Sequence, residues 1–212
     1  MHLFSRVFTL TGGPVRPVEW ALAMMEKAND AMDVDVSLWI GAFGYPGGTV
    51  AWSTLVESRA HLTEQMGKVA AHQGFLQAAE MGQEFASGPY SDRLRTVFHT
   101  TTTPGDIPGP IGAVADELTV QAAPGQFEAV QAWAVKNADL YAALTGSPVA
   151  VLVDDYGPFG QVSSLASHVD ASAADAAAEA AMGSGPYRSS LSEAATRCVR
   201  GSVSRAAMVR VG

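Results

Sequence analysis

The stretch Gly44-Tyr45-Pro46-Gly47-Gly48-Thr49-Val50 returns in altered form as Tyr156-Gly157-Pro158-Phe159-Gly160-Gln161-Val162. Tyr45 pairs with Tyr156, Gly48 with Gly160 and Val50 with Val162, all about 112 residues apart by subtraction. Each stretch is dense in turn formers and runs into β-forming sequence, so each reads as a hairpin tip. Trp20 and Trp133 keep nearly the same offset. A fixed offset across most of a chain is the signature of a duplicated unit.

Working outward, the same order of elements appears twice. His2 to Leu10 reads as a strand, bounded by Thr11-Gly12-Gly13-Pro14. Pro17 to Met32 reads as a helix, with the proline in its first turn and Val18, Leu22, Met25 and Met32 near helical spacing. Val34 to Phe43 and Thr49 to Val56 are the arms of the first hairpin. Ser58 suits the cap of a helix over Arg59 to Ala71, followed by a shorter helix over Phe75 to Phe85. Ser87-Gly88-Pro89 ends it, and Asp92 to His99 is a fourth strand. The second pass gives strands at Glu117–Ala122, Pro148–Asp154, Gln161–Ala166 and Val203–Val211. Its helices fall at Gln126–Leu144, Asp170–Met182 and Tyr187–Val199. Between the passes, Thr100 to Pro110 carries four threonines and three prolines and reads as linker. The expected organisation is a first repeat over 1–100, a linker over 101–115 and a second repeat over 116–212.

A βαββαβ unit is the split βαβ, ferredoxin-like motif, with both helices on one sheet face. The expected fold class is α+β, with two tandem ferredoxin-like units forming a pseudo-dimeric α+β barrel. In order and duplication the chain resembles the dimeric α+β barrel superfamily in its fused, tandem form. The resemblance covers nearly the whole chain and rests on topology and repeat, without a family-specific motif. It implies three alternatives. One is a cofactor-independent monooxygenase, cyclase or isomerase acting on an aromatic or polyketide-like molecule. The second is a non-catalytic binding or assembly protein. The third is a haem protein.

Composition narrows the partners. Net charge is −8 with 13 Lys+Arg, which disfavours nucleic acid, because phosphate contacts dominate that affinity. A single cysteine, Cys198, excludes an internal disulfide and a cysteine-based zinc cluster. The first residues lack a basic and then apolar leader, and no apolar run of about 18 residues occurs. The expectation is a cytoplasmic protein with no nucleic acid or membrane partner and no cofactor. Its ligand would be a small hydrophobic or anionic molecule, and a homo-oligomer is compatible with the sequence.

Strand alternation suggests where chemistry sits. Val36, Leu38, Ile40 and Ala42 form an apolar set expected under the helices, with Trp39 opposite. Strand one sets Phe4, Arg6, Phe8 and Leu10 against Leu3, Ser5, Val7 and Thr9. Strand four sets Arg93, Arg95, Val97 and His99 against Leu94, Thr96 and Phe98. The expected site gathers Phe4, Arg6, Trp39, Arg93 and Arg95 on the open face, with His99 at one end. The arginines would hold a carboxylate or enolate, Trp39 and Phe4 would pack a ring, and His99 would move a proton. A plainer reading pairs these arginines with Glu57, Asp92 or acidic residues of the second half. Aligning Arg6 with Thr119 and Trp39 with Leu152 leaves the second repeat without the set, so the site is expected in the first. No His-x-x-x-His or Cys-x-x-Cys spacing appears, and His99 or His168 would be the iron ligand of a haem protein. His61 and His72, with Gln65 and Lys68, read as a solvated stripe, and His168 as loop or helix cap. Trp20, Trp133 and Cys198 read as core.

Overall fold

The computed structural model describes residues 1–103, 109–156 and 159–212. The expected linker falls partly, and the second hairpin tip partly, outside the described residues. The elements run β1 (His2–Leu10), α1 (Arg16–Ala31), β2 (Ser37–Phe43), β3 (Thr49–Val56), α2 (Arg59–Ala71), α3 (Gln73–Met81) and β4 (Ala86–Thr100). They continue with β5 (Val114–Gln121), α4 (Phe127–Thr145), β6 (Val149–Asp154), β7 (Gln161–His168), α5 (Ala171–Gly183), α6 (Gly185–Ala194) and β8 (Ser204–Arg210). In hydrogen-bonded order the strands run β1-β3-β2 and β8-β5-β7-β6-β4. No described helix is long and apolar enough to cross a membrane.

Two compact units divide the chain. One comprises 1–41, 45–94 and 211–212; the other comprises 42–44 and 95–210. Several local hydrogen bonds recur in the two units. Leu10 N–H donates to Gly48 O at 2.8 Å, and Ala122 N–H donates to Gly160 O at 2.9 Å. Thr11 N–H donates to Phe85 O and Ala123 N–H to Arg197 O, both at 2.9 Å. Gly48 and Gly160 both adopt positive φ, 80° and 83°, which explains glycine at both tips. Ser58 and Asp170 cap equivalent helices, accepting from His61 and Ala173 N–H. These bonds hold an offset of 112, so Arg6 corresponds to Leu118 rather than to Thr119.

In each unit the helices cover one sheet face. In the first, Phe8, Leu38, Val50, Ala21 and Met25 form a core with Trp20 and Trp52. In the second, Val120, Val151, Val162, Val130 and Trp133 do the same. Trp20 Nε1–H donates to Ala78 O, and Trp133 Nε1–H to Ser190 O, both at 2.8 Å. Each indole thus ties its first helix to the third and buries its N–H with a partner, as a buried donor requires.

Some boundaries differ from the sequence reading. Ser87-Gly88-Pro89 falls inside β4. Gln65 is fully buried and accepts from Asp33 N–H, so the expected solvated stripe on α2 is broken at that residue. His72 caps α3, accepting from Phe75 N–H. His168 ends β7 and is buried, while the cap of α5 is Asp170. Cys198 is buried as expected, but it lies past α6 in an isolated bridge with Ala122, and burial raises its thiol pKa.

The Trp20 anchor gives a test. A Cβ on Gly82 would lie 1.7 Å from Trp20 Nε1, whereas the equivalent position in the second unit, Ala194, already holds a methyl. Gly82→Ala should lower stability by about 1–3 kcal/mol through overpacking. A denaturant melt monitored by tryptophan fluorescence reads this directly.

Candidate functional site

The expected arginine–tryptophan cluster does not assemble within the units. Register pairs Arg6 with Trp52 and Trp52 with Leu38, so Arg6 shares the helix-covered face. Trp39 pairs with Ala51, opposite Val7, and therefore faces the other way. Phe8 sets this phase: its buried ring fills the helix-covered core, and Phe4, Arg6 and Leu10 follow by alternation. Arg6 tolerates the position because Asp92 grips it bidentately, Nε to Oδ1 and Nη2 to Oδ2, both at 2.7 Å. That pairing raises the Arg6 pKa further. Phe4 lies half-buried opposite Thr54. Trp39 is buried, and its indole N–H has no hydrogen-bond partner.

In the second unit, Arg95 is 4% exposed and donates to Glu117 Oε1 at 2.8 Å. Thr119 donates to the same carboxylate at 3.1 Å and shares a 2.9 Å bond with Ser163. A register shift between Val97 and His99 turns His99 onto the face of Val151. There its Nε2 meets Asp139 of α4 at 2.8 Å. Arg93, in the first unit's part of β4, is half-buried. The plainer reading of the arginines thus describes Arg6 and Arg95, each engaged by a carboxylate.

The cavity of interest lies elsewhere, wholly within the second unit. It opens between α4, α6 and the strands β5, β7 and β8, and Asp116, Asn137, Tyr141, Ser164, Tyr187 and Arg205 line it. Leu118 pairs with Ser164 on one side and Arg205 on the other, which places those three in one row across the sheet. Asp116 lies two residues along β5 on the same face. The cavity is half-open to solvent, and its depth leaves about 30 Å³, room for one or two waters.

Its walls are polar and incompletely satisfied. Tyr141 is 6% exposed, and its hydroxyl has no hydrogen-bond partner among the described residues. Burial, then the nearby Asp116 and Tyr187, push its pKa up to about 12. Burial also raises Tyr187, and Arg205 partly offsets the shift in both phenols. Tyr141 therefore remains a neutral donor throughout the physiological range. His168 stands beside it, ring centroids 6.3 Å apart. One His168 nitrogen, Nδ1, lies 3.0 Å from Ser147 Oγ, and the other, Nε2, lies 3.5 Å from Asp116 Oδ2. That second distance is an ion-pair separation without hydrogen-bond alignment, and Nε2 is the other unsatisfied buried atom here. Ser190 Oγ–H donates to Asn137 Oδ1 at 3.0 Å, so the Trp133 anchor and the cavity wall share a residue.

At an offset of 112, the first unit carries apolar aromatic side chains at three of the cavity positions. Ser164 stands where the first unit has Trp52, Asp116 where it has Phe4, and Tyr187 where it has Phe75. Trp52 packs Phe8 at 4.6 Å between ring centroids and Trp20 at 6.3 Å. Large apolar groups fill the first unit's helix-covered face; small and polar ones leave a gap in the second. The site residues Asp116, Asn137, Tyr141, His168, Tyr187 and Arg205 were missed by the sequence reading. Their signal was a carboxylate and a serine at positions that are aromatic in the other repeat.

No protein-family model matches the chain, and no curated protein matches it. Crystal structures do. A Fusobacterium nucleatum protein carrying a provisional monooxygenase name matches 100% of this chain and 92% of its own, with TM-score 0.74 and 9% identity. An anthrone oxidase-like protein matches 100% and 92%, with TM-score 0.63 and 14% identity. A Lactobacillus acidophilus protein, also provisionally named a monooxygenase, matches 99% and 93%, with TM-score 0.64 and 13% identity. The chain has the dimeric α+β barrel fold in its tandem form. A protein provisionally named a chlorite dismutase shares it at TM-score 0.53 with 10% identity. The two histidines expected as iron ligands of a haem protein do not fit that group: His168 is buried with its nitrogens turned to Ser147 and Asp116, and His99 Nε2 is held by Asp139. Among the described residues no cluster of three His, Cys, Asp or Glu could hold a metal ion.

Tyr141→Phe tests the unsatisfied hydroxyl. Removing it should leave stability unchanged or raise it by about 1 kcal/mol, because no protein hydrogen bond is lost. The raised phenol also sets a pH dependence. Its stabilising neutral state is complete below the ordinary value of 10 and is lost as pH rises toward about 12. Tyr141→Phe should make the alkaline loss of stability shallower, and the latest-ionising phenol should vanish from an ultraviolet titration.

Proposed function

We propose that the second unit's cavity binds a small aromatic molecule carrying an acidic carbon conjugated to a carbonyl through the ring, and that the protein oxidises it with molecular oxygen. The observation that carries this reading is the buried Tyr141 hydroxyl, kept neutral and without a partner, lining a cavity with Asp116. A preorganised donor of this kind stabilises charge developing on a substrate oxygen. The names of the monooxygenase-like and anthrone oxidase-like structural relatives support the same chemistry.

In this scheme the substrate carbonyl accepts a hydrogen bond from Tyr141. Asp116 removes a proton from the activated carbon conjugated to that carbonyl, with His168 Nε2 positioned 3.5 Å behind the carboxylate. The negative charge moves onto the oxygen facing Tyr141. The electron-rich carbon reduces oxygen and becomes bonded to it as a peroxide. Asp116 returns its proton, the second carbon-bound hydrogen is lost, and the O–O bond breaks. A CH₂ group and O₂ thus give C=O and water. The electrons come from the substrate itself. In this scheme the ring enters from the solvent side of the cavity, beside the exposed Arg205.

Anthrone is a suitable probe, since its oxidation gives anthraquinone and water with one oxygen consumed. The protein should accelerate oxygen uptake and quinone formation in equal amounts. Asp116→Asn should lower kcat by roughly 10²–10⁴-fold, the usual contribution of a positioned base. An Asp116→Asn protein as active as the parent would remove Asp116 from the mechanism. Failure of the parent to accelerate the reaction would count against an anthrone-like substrate.

A further inference from the structure

We propose that Arg205 is a specificity residue, and that the ligand of the second unit's cavity is an aromatic acid whose carboxylate docks on this guanidinium. The inference rests on the reading of that cavity as the ligand site and goes beyond it by naming the ligand's charge. Arg205 lines the cavity, is exposed, and makes no ion pair or hydrogen bond among the described residues. Three other arginines of the chain behave differently. Arg6 is held by Asp92, Arg95 by Glu117 and Arg197 by Glu193. Asp116 lines the same cavity, yet it is set beside His168 rather than Arg205.

The sheet register fixes the spacing of these groups. Arg205 lies opposite Leu118, and Asp116 lies one two-residue step along β5, roughly 7 Å at strand rise. A cation thus stands at one end of the cavity wall and a carboxylate at the other. An aromatic ring bearing a carboxylate spans about this length. It would meet Arg205 through its acid, Tyr141 through a ring oxygen, and Asp116 through its far edge. The reverse orientation sets two carboxylates together and is disfavoured. A guanidinium fork matches a carboxylate bidentately, which lysine cannot do. The remaining wall is aromatic, with Tyr141 and Tyr187 packed against each other at 5.6 Å between centroids, and offers ring edges for a ligand to pack on.

Salicylate and salicylamide are matched probes, differing only in the acid. Amide-proton NMR titrations of the full-length protein give an affinity for each. The parent should bind salicylate at least about tenfold more tightly, a margin of roughly 1.4 kcal/mol. Salt should weaken salicylate and not salicylamide. Arg205→Met should bring the two affinities together, and Arg205→Lys should keep part of the preference. Because Arg205 is exposed, these variants should fold as the parent does. Tyr141→Phe should weaken both probes and leave their ratio unchanged. A parent without preference for the acid, or a preference that survives Arg205→Met, overturns the role of Arg205. If in that case Tyr141→Phe still weakens both probes, the cavity stands as the site. If neither substitution changes the binding of either probe, the cavity reading fails and this inference falls with it.

Discussion

A sheet covered by helices on one face must fill the space between them, and this constraint governs both units. Each meets it first with a tryptophan on its long helix, Trp20 or Trp133, whose indole N–H is tied to a carbonyl of the third helix. That bond sets the helix pair over the sheet and removes a buried polar penalty. What remains to be filled beyond the anchor differs. The first unit uses Trp52, Phe8 and Phe85 in one aromatic stack around Trp20. The second has Ser164 in place of Trp52, and the core stops short.

The gap is not simply a loss of packing. Its walls carry Asp116, Asn137, Tyr141 and Tyr187, and it is flanked by His168. Unsatisfied buried polar atoms cost stability, and drift that merely shrank side chains would leave apolar walls. Tyr141 Oη and His168 Nε2 are both buried without hydrogen-bond partners, in one small region. A ligand with its own oxygens and charge would satisfy such a region. The duplication thus yields one unit that is packed and one that keeps space for chemistry.

The repeat was legible because turn chemistry is local. Gly48 and Gly160 mark hairpin tips whatever the rest of the chain does, and the positive φ at both confirms the reason. The helix anchors were legible for a related reason: a tryptophan recurring on equivalent helices has few uses besides packing. The phase of β1 was not legible. Both of its alternating sets contain apolar residues, and pairing with Asp92, weighed as the plainer reading of Arg6, did not by itself say which face the arginine takes. The candidate site was hidden for a deeper reason. Arg205, Leu118 and Ser164 meet only through the pairing of three strands, and Asn137 and Tyr141 join them from α4. His168 looked like loop because β7 extends two residues further than its β-forming composition suggested.

The central claim is that the second unit's helix-covered face, and not the first unit's, holds the ligand. A crystal structure of the protein with salicylate tests it most directly. The account predicts the ring between α4 and the β5–β8 pair, its phenol oxygen on Tyr141 and its carboxylate on Arg205. Salicylate bound instead against Trp39 or among Trp20, Trp52 and Phe8, with the second unit's cavity closed, would contradict it.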